Sequence, residues 1–451
     1  MIPVTLGTLL RGVGTSCHDE VTISEVITDS RKAGPGKLFI AIVGERLDGN
    51  DYAMSALENG AEAAIVSRHF DDPRCIFVQD TKDAYSQIAG NYRNLFHPLV
   101  VAITGSVGKT TTKDMTAAII SHFKKTLKNE GNRNNEVGMP ETALRLDSSY
   151  EAAVFEMGMA GFGEIRRLTK CARPHAAIIT NIGVAHIEML GSRENILKAK
   201  MEITEGLDRD GILILNADDD MLMSVIDSVD FKTATFGLDN PKADVTAKNI
   251  SSKSYPSTFT IVDGNIEYDV VLPASGIHSV RDALSAYTLA TRLGFDAAES
   301  AKALSDYTPS GMRQKFVKKD GMLIIEDCYN ANPVSMEASL RTMADLDCKG
   351  RRIAVLADML ELGKIQEESH RNVGLLCSEL GIDILLCYGE SMKLACESAA
   401  ASGMRCTVSF DTKDELCDYL KGTAKPGDII LFKGSHGMAL EDVIEKFVGE
   451  V

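Results

Sequence analysis

Apolar residues along this chain fall into short runs, and the runs alternate with stretches of helical spacing. In the first hundred residues KLFIAIVG, AEAAIVS and CIFVQD have the length and content of buried strands, and DYAMSALENG reads as a helix. His97-Pro98 closes that unit, because a proline disfavours helix in the residue before it. From Leu99 to residue 311 strand-like and helix-like segments alternate: VVAIT, TTTKDMTAAIISHF, EAAVFEM, AAIITNI, RENILKAKMEITEGL and GILILN. The first of these helices is expected to begin near Thr110 and to bury one face through Met115, Ala118, Ile119 and His122. TPSGM reads as a hinge, and beyond it come MLIIED, RIAVLAD, DILLCYG, GDIILFKG and MALEDVIEKF. The pattern predicts an α/β chain of three domains, 1–98, 99–311 and 312–451, with parallel sheets and crossover helices in the later two.

Composition narrows the class. At 451 residues the chain exceeds one ordinary core. No apolar run is long enough to span a bilayer, and Arg11 interrupts an N-terminal stretch that has no basic leader, so neither membrane insertion nor export is expected. The ten cysteines include no Cys-x-x-Cys pair and fit reduced thiols in a cytosol. A net charge of −16 argues against nonspecific binding to nucleic acid. It leaves room for an anionic substrate held by local glycine loops and lysines.

The chemistry concentrates in VVAITGSVGKTTTKD, residues 100–114. A strand runs into a glycine turn, then Lys109 and three threonines follow, as in a phosphate-binding loop. The spacing is short, however. The general P-loop places its first glycine where this chain has Ile103, and Gly105 stands only two residues before Gly108. Backbone N–H groups of such a turn bind phosphate oxygens, Lys109 reaches the β and γ phosphates, and Thr110 supplies a hydroxyl for Mg²⁺. Glu156, at the end of the apolar run EAAVFEM, is either a metal ligand beside that loop or a strand-end carboxylate reaching solvent. Farther on, Asn181, His186 and Lys200 stand in TNIGVAHIEMLGSRENILKAK, where His186 is a second ligand or a structural histidine.

The loop TGSVGKTTTKD, with its short glycine spacing, resembles the ATP loop of the Mur ligases, which build the peptide stem of the bacterial cell-wall precursor. The resemblance runs through essentially the whole chain. GNRNNEVGMPETAL (131–144), EMGMAGFGEI (156–165), NIGVAHIEMLGSRENILKAK (181–200), DCYNANPVSMEASL (327–340), LADMLELG (356–363) and KGSHGMALE (433–441) follow the family order. TDSRKAGPGKLFIAIVGERLDGND (28–51) resembles the UDP-sugar module shared by the last two ligases of the series. NNEVGMP and YNANP look most like the final one, which joins D-Ala-D-Ala to UDP-N-acetylmuramoyl-tripeptide.

That resemblance implies a small N-terminal α/β UDP-binding domain, a central P-loop ATPase-like sheet and a C-terminal Rossmann-like domain for the incoming dipeptide. It implies ATP, two Mg²⁺ ions, an acyl-phosphate intermediate and a cytoplasmic monomer. Gly105, Ser106, Gly108, Lys109, Thr110, Thr111 and Asn181 would hold the nucleotide, with Asp282 at adenine and Arg313, Asp327 and Asn330 reaching over from the third domain. Thr110 and Glu156 would hold one ion and His186 the other, with Lys109, Lys200, His186 and Asn135 catalytic. Lys200 matches a lysine that several members carry as a CO₂ adduct; an unmodified lysine on a helix face is the alternative. Ser30, Arg31, Asp48 and Gly49 would face the UDP group, and Asn134, Asn135 and Glu136 the muramoyl-peptide or the metals. Asn330, Asn332 and His436 would contact the incoming dipeptide, although N-A-N-P also makes a good turn in any protein.

Four positions depart from the family pattern. Asn50 replaces a usual histidine, His436 a usual arginine, and Ser279 and Asp282 the two asparagines of the adenine-contacting segment, so that adenine loses a donor if Asp282 is ionised. Rival readings are another amide ligase adding one amino acid, a P-loop binding module, and a dead scaffold. The Asp-Asn-Pro-Arg motif of the ligase for the third stem residue has only Asp239-Asn240-Pro241-Lys242 as a partial match, in the wrong unit. No asparagine is followed by lysine, as the guanine-reading motif of a GTPase requires. An open arrangement of the three domains is expected without ligands.

Overall fold

In the computed structural model, which describes residues 1–449 apart from 15, 17, 45, 46, 186, 253, 254, 310, 312 and 313, the unalternating apolar runs are strands covered on both faces. The run before the glycine turn, Leu99–Thr104, is buried from its second residue to its end. It pairs in parallel with Ala152–Glu156 on one side and Ala176–Ile179 on the other. Ile212–Asn216 and Lys232–Phe236 extend the sheet beyond Ala176–Ile179, and Thr126–Lys128 forms the opposite edge. Parallel pairing delivers the ends of neighbouring strands to one rim, so Thr104, Glu156 and Ile179 emerge side by side.

The expectation of wholly parallel later sheets is corrected at two edges. Val245–Ser251, Ser257–Asp263 and Ile266–Leu272 complete the central sheet as an antiparallel meander. In the third unit, Lys315–Lys319 pairs antiparallel with Met322–Glu326, and the rest of that sheet is parallel. At each edge one reversal is a two-residue turn. Asp263 pairs with Ile266 across Gly264-Asn265, and Lys319 with Met322 across Asp320-Gly321. Asp320 at φ 49° and Gly321 at φ 77° adopt the left-handed pair that matches strand twist.

The P-loop helix spans Lys109–Phe123, one residue earlier than the threonine expected to start it. It does not bury a single face. The sheet covers one side and the helix Ile277–Arg292 the other, so Lys113, Asp114 and Thr116 are buried along with Met115 and Ile119. Ala118 is only half-buried, and His122 is exposed beside Glu299 at 3.0 Å.

The first unit has a four-stranded parallel sheet, and its last helix, Thr81–Arg93, joins it to the centre. One apolar cluster runs from Leu6, Ile40 and Tyr85 through Val100 and Phe155 to Leu168. At the joint a Cβ on Gly90 would lie 3.4 Å from the Cys171 backbone, so this helix packs directly on the helix Glu164–Ala172. Among the described residues no helix is long and apolar enough to cross a membrane.

The third unit carries helices on both faces of its sheet, over two apolar clusters. Its closest helix crossing is that of Gln366–Glu379 against Lys393–Ala401, at Gly374. There a Cβ would stand 2.1 Å from the Ala395 carbonyl oxygen and 2.2 Å from Ser398 Oγ. Gly374→Ala must push the helices apart and should cost about 1–3 kcal/mol. Urea unfolding should show a lower midpoint with unchanged ADP affinity; an unchanged midpoint would refute the packing argument.

Candidate active site

Two glycines shape the turn after Thr104. Gly105 has φ 154°, and a Cβ there would fall 1.8 Å from Thr180 Oγ1. Gly108 has φ 80° and caps the P-loop helix in the left-handed region. A Cβ on Gly108 would lie 2.5 Å from Asp282 Oδ1. The short turn between them is held from outside. Asn181 accepts from the Val107 N–H at 3.0 Å and donates to the Val107 carbonyl at 3.0 Å, and Thr180 Oγ1 donates to the same carbonyl at 2.6 Å. Ser106 Oγ accepts from the Gly183 N–H at 2.9 Å. Lys109 folds back over the turn, donating to the carbonyls of Gly105 at 2.8 Å and Ser106 at 3.2 Å. Thr110 and Thr111 follow in the first helical turn, whose N–H groups have no partner within the helix.

The carboxylate expected beside this loop is there. Glu156 is buried at the end of the strand paired with the P-loop strand. Its Oε2 accepts from Thr110 Oγ1 at 2.6 Å and its Oε1 from Asn134 Nδ2 at 2.7 Å. Hydrogen bonds to a charged group contribute about 1.5–3 kcal/mol each, enough to hold a carboxylate in this rim. Lys200 is buried, and burial, with the Lys109 charge nearby, holds its amine well below the usual lysine range. The amine is therefore poised to be neutral. His186 and Arg313 lie outside the described residues.

Asp282 overhangs Gly108 from the helix Ile277–Arg292. Burial pushes its carboxyl up to about 8, with the Arg281 charge and a hydrogen bond to Thr112 opposing. The loss of a donor expected for an ionised aspartate is therefore corrected. A protonated carboxyl carries an O–H and can donate.

The third unit brings three loops to the carboxyl ends of adjacent strands, Met322–Glu326, Ile429–Lys433 and Arg352–Ala357. Asp327 accepts from Lys433 Nζ at 2.8 Å and Ser339 Oγ at 2.5 Å, and the same lysine reaches the Asn330 carbonyl at 3.1 Å. Asn330 Oδ1 accepts from the Ala331 N–H at 2.9 Å. Asn332 caps the helix Pro333–Asp345, accepting from the Ser335 N–H at 2.9 Å, which is the turn chemistry N-A-N-P allows. His436 is exposed, stacked on Tyr329 and 3.5 Å from Glu441. The second and third units touch at three places. Cβ positions at Gly183, Gly276 and Gly363 lie 3.9 Å from Val334, 2.5 Å from Thr342 and 2.9 Å from Glu188. The helix that follows Asn332 is thus seated against the rim of the P-loop.

The first-unit residues gather less tightly. Ser30 opens a short 3-10 turn capped by Asp29, and exposed Arg31 pairs with Asp29 at 2.8 Å. Asp48 caps the next turn and pairs with Arg68. Gly49 approaches the chain so closely that a Cβ would fall 2.6 Å from Ile42 N. Asn50 is buried, its amide bonded to Asp48 and Ser67. Asn135 is exposed, and its Oδ1 accepts from the N–H of Gly138 at 2.8 Å. Glu136 points away from Glu156, into an ion-pair cluster with Arg167 and, at 3.1 Å, Lys82.

Family models describe the same three stretches. A Mur ligase family catalytic domain matches residues 22–94, a Mur ligase middle domain 103–290, and a Mur ligase glutamate ligase domain 312–436. The UDP-N-acetylmuramoyl-tripeptide–D-alanyl-D-alanine ligase of Bacillus subtilis is 38% identical over 437 residues, covering 96% of this chain and 94% of its own. The Escherichia coli protein of that name is also 38% identical, covering 98% of each. The chain belongs to the Mur ligase family. Its fold matches a crystal structure of MurF from Acinetobacter baumannii with a TM-score of 0.89, at 31% identity over 99% of each chain. A MurF ligase from Thermotoga maritima in complex with ADP matches at 0.84, with 26% identity over 94% of this chain and 96% of that one.

As a member of this family the protein is an ATP-dependent amide ligase. Its site includes residues the sequence reading missed. Thr180 shapes the glycine turn, and Asn129 bonds the main chain of Glu156 through both ends of its amide. The only sequence signal for Asn129 is an uncharged polar residue directly after a strand edge.

Asp282 gives this Mur ligase a pH signature. Unfolded, its carboxyl ionises near the ordinary 3.8; folded, it keeps its proton up to about 8. The folded chain binds the extra proton across that window, so stability falls as pH rises through it. Asp282→Asn removes this part of the slope. Urea unfolding should show the variant gaining on the wild type between pH 5 and pH 8; an equal difference at both would defeat the assignment.

Proposed function

We propose that this Mur ligase joins D-Ala-D-Ala to UDP-N-acetylmuramoyl-tripeptide, giving UDP-N-acetylmuramoyl-pentapeptide, ADP and phosphate. The observation that carries the reading is the meeting of Thr110 and Glu156 at 2.6 Å on the rim of a lysine-bearing phosphate loop, against which the third unit is seated. A carboxylate is a poor electrophile. Transfer of the γ-phosphoryl group to the peptide carboxylate makes an acyl phosphate and releases ADP. The amine of the dipeptide then attacks the acyl carbon and phosphate departs. Little of this needs covalent help from the protein, so positioning and electrostatics carry it.

Lys109, Thr110, Thr111 and the N–H groups of Gly105 and Gly108 hold the phosphates, with Asn181 keeping the turn in shape by taking the N–H groups of Ser106 and Val107 and Ser106 Oγ taking that of Gly183. Thr110 and Glu156 are hard oxygen donors on neighbouring elements and fit Mg²⁺, which is held by one or two carboxylates together with substrate phosphates. Bound there, the ion neutralises developing phosphate charge; His186 is assigned to a second ion. Lys200 supports the reading in its own way. CO₂ adds only to a neutral amine, and burial beside Lys109 favours that form. Carbamylation would turn Lys200 into a carboxylate able to orient the second ion.

Residues 1–98 would bind the UDP-sugar through Ser30, Arg31, Asp48 and Gly49, and 99–311 the ATP, with Asp282 at adenine. Residues 312–451 would bind the dipeptide, with Arg313, Asp327, Asn330, Asn332 and His436 at the strand ends where α/β sheets take ligands. Asn134, Asn135 and Glu136 border the tripeptide end. The chain would act as a monomer, and its scattered cysteines support a cytoplasmic setting.

Phosphate release should require UDP-muramoyl-tripeptide, ATP and D-Ala-D-Ala together. Release with a single amino acid, or none with any amine, would overturn the proposal. Lys200→Ala should lower turnover by about 10–100-fold, and added acetate should restore part of it. Wild-type turnover in that variant would exclude a role for a modified lysine.

A further inference from the structure

The expected roles leave a cluster of buried polar groups behind Glu156 unused. Thr126–Lys128 is the edge strand next to Ala152–Glu156, and its ladder ends where Lys128 pairs with Val154. The next residue, Asn129, is buried and continues the ladder with its side chain. Asn129 Oδ1 accepts from the Glu156 N–H at 2.9 Å, and Nδ2 donates to the Glu156 carbonyl at 2.9 Å. That pair of bonds does for Glu156 what a strand residue opposite it would do. Nδ2 also donates to the Arg133 carbonyl at 2.8 Å, tying in the loop that carries Asn134.

Asn129 is itself held from the P-loop helix. Lys113, wholly buried, donates through Nζ to the Asn129 carbonyl at 3.0 Å. Lys113 lies three residues after Thr110, on the same helix face. Asp114, also buried, is 3.4 Å from Lys113 Nζ and accepts from Lys128 Nζ at 2.6 Å, so the two lysines flank one carboxylate. Burying the charges of Lys113 and Asp114 is costly unless each is paired and bonded, and both are, with half-buried Lys128 as the third member. Its geometric result is a closed circuit, from Thr110 along the helix to Lys113, to Asn129, to the main chain of Glu156 and back to Thr110 at 2.6 Å.

We propose that Asn129, held by Lys113, is a positioning residue that sets the separation between the Thr110 hydroxyl and the Glu156 carboxylate, and through it the affinity of the site for a divalent cation. The inference rests on Thr110 and Glu156 being the cation's ligands. Neither Asn129 nor Lys113 touches substrate or metal. Their contribution is to stop the end of the Glu156 strand from drifting, since residues behind a metal ligand commonly change metal affinity by about 10–100-fold when removed.

The test is Mn²⁺ binding to the full-length enzyme–ADP complex, read by electron paramagnetic resonance without turnover, beside ADP binding in chelator. Asn129→Ala should weaken Mn²⁺ about 10-fold, leaving metal-free ADP affinity within about twofold. Asn129→Ser, which keeps one hydroxyl facing Glu156, and Lys113→Met should fall between, and they decide the matter if the alanine variant does not fold. Steady-state turnover lost in these variants should return as Mg²⁺ is raised. Glu156→Gln is the control. If it weakens Mn²⁺ while the Asn129 and Lys113 variants match wild type, the positioning role is wrong. If Glu156→Gln leaves Mn²⁺ binding unchanged, the ligand assignment fails, and this proposal with it. Equal losses of Mn²⁺ and metal-free ADP affinity would mark a general loss of structure and also overturn it.

Discussion

A phosphate-binding turn with only two residues between its glycines cannot keep its shape by itself, and the hold of Asn181 on Val107 is what the rest of the site depends on. The asparagine offers one donor and one acceptor to one donor and one acceptor of the same residue, at 3.0 Å each. It stands just beyond the strand Ala176–Ile179, which is in register with the P-loop strand, so sheet pairing aims it. Thr180 adds a third bond and fills the space a side chain at Gly105 would need. The short spacing is therefore a matched fit between two neighbouring strand ends. A longer glycine loop would lift Val107 away from the amide that grips it.

With the turn fixed on one side, the other side of the P-loop strand carries the acid. Parallel pairing puts Ile103 opposite Glu156, so the carboxylate arrives at the first turn of the helix without a long connecting loop. Thr110 and Glu156 then meet because the sheet aligns them, and Asn129 and Asn134 hold the acid's main chain and side chain separately. The third unit meets the same rim at Val334, 3.9 Å from where a Cβ on Gly183 would stand.

Much of this was legible in the sequence where a local signal and its consequence lie together. Gly105, Gly108, Lys109 and Thr110 are contiguous with the strand that aims them, and Glu156 ends an apolar run in which an acid is conspicuous. The meander at 245–272 escaped notice because periodicity does not separate parallel from antiparallel strands, yet Gly264-Asn265 and Asp320-Gly321 carried the hairpin signal. His122 was misread because helical spacing says that a face is covered, not how many faces are. Asn129 and Lys113 were illegible for a different reason. Their importance lies in partners 27 and 16 residues away, and nothing in their own neighbourhood announces it.

The charge of the chain looks at odds with its ligand. A protein with net charge −16 repels a polyanion at long range, where screening is strong, but the site is decided within a few ångströms. There burial keeps Asp282, beside Gly108, in its neutral form, and the two oxygens of Glu156 accept from Thr110 and Asn134. The cation of Lys109 and the positive end of the helix Lys109–Phe123 stand at the glycine turn. Burial and the nearby Lys109 charge likewise hold the Lys200 amine well below the usual lysine range. The local sign of the site is thus built by burial more than by the count of charged residues, which is why composition alone could not exclude an anionic substrate.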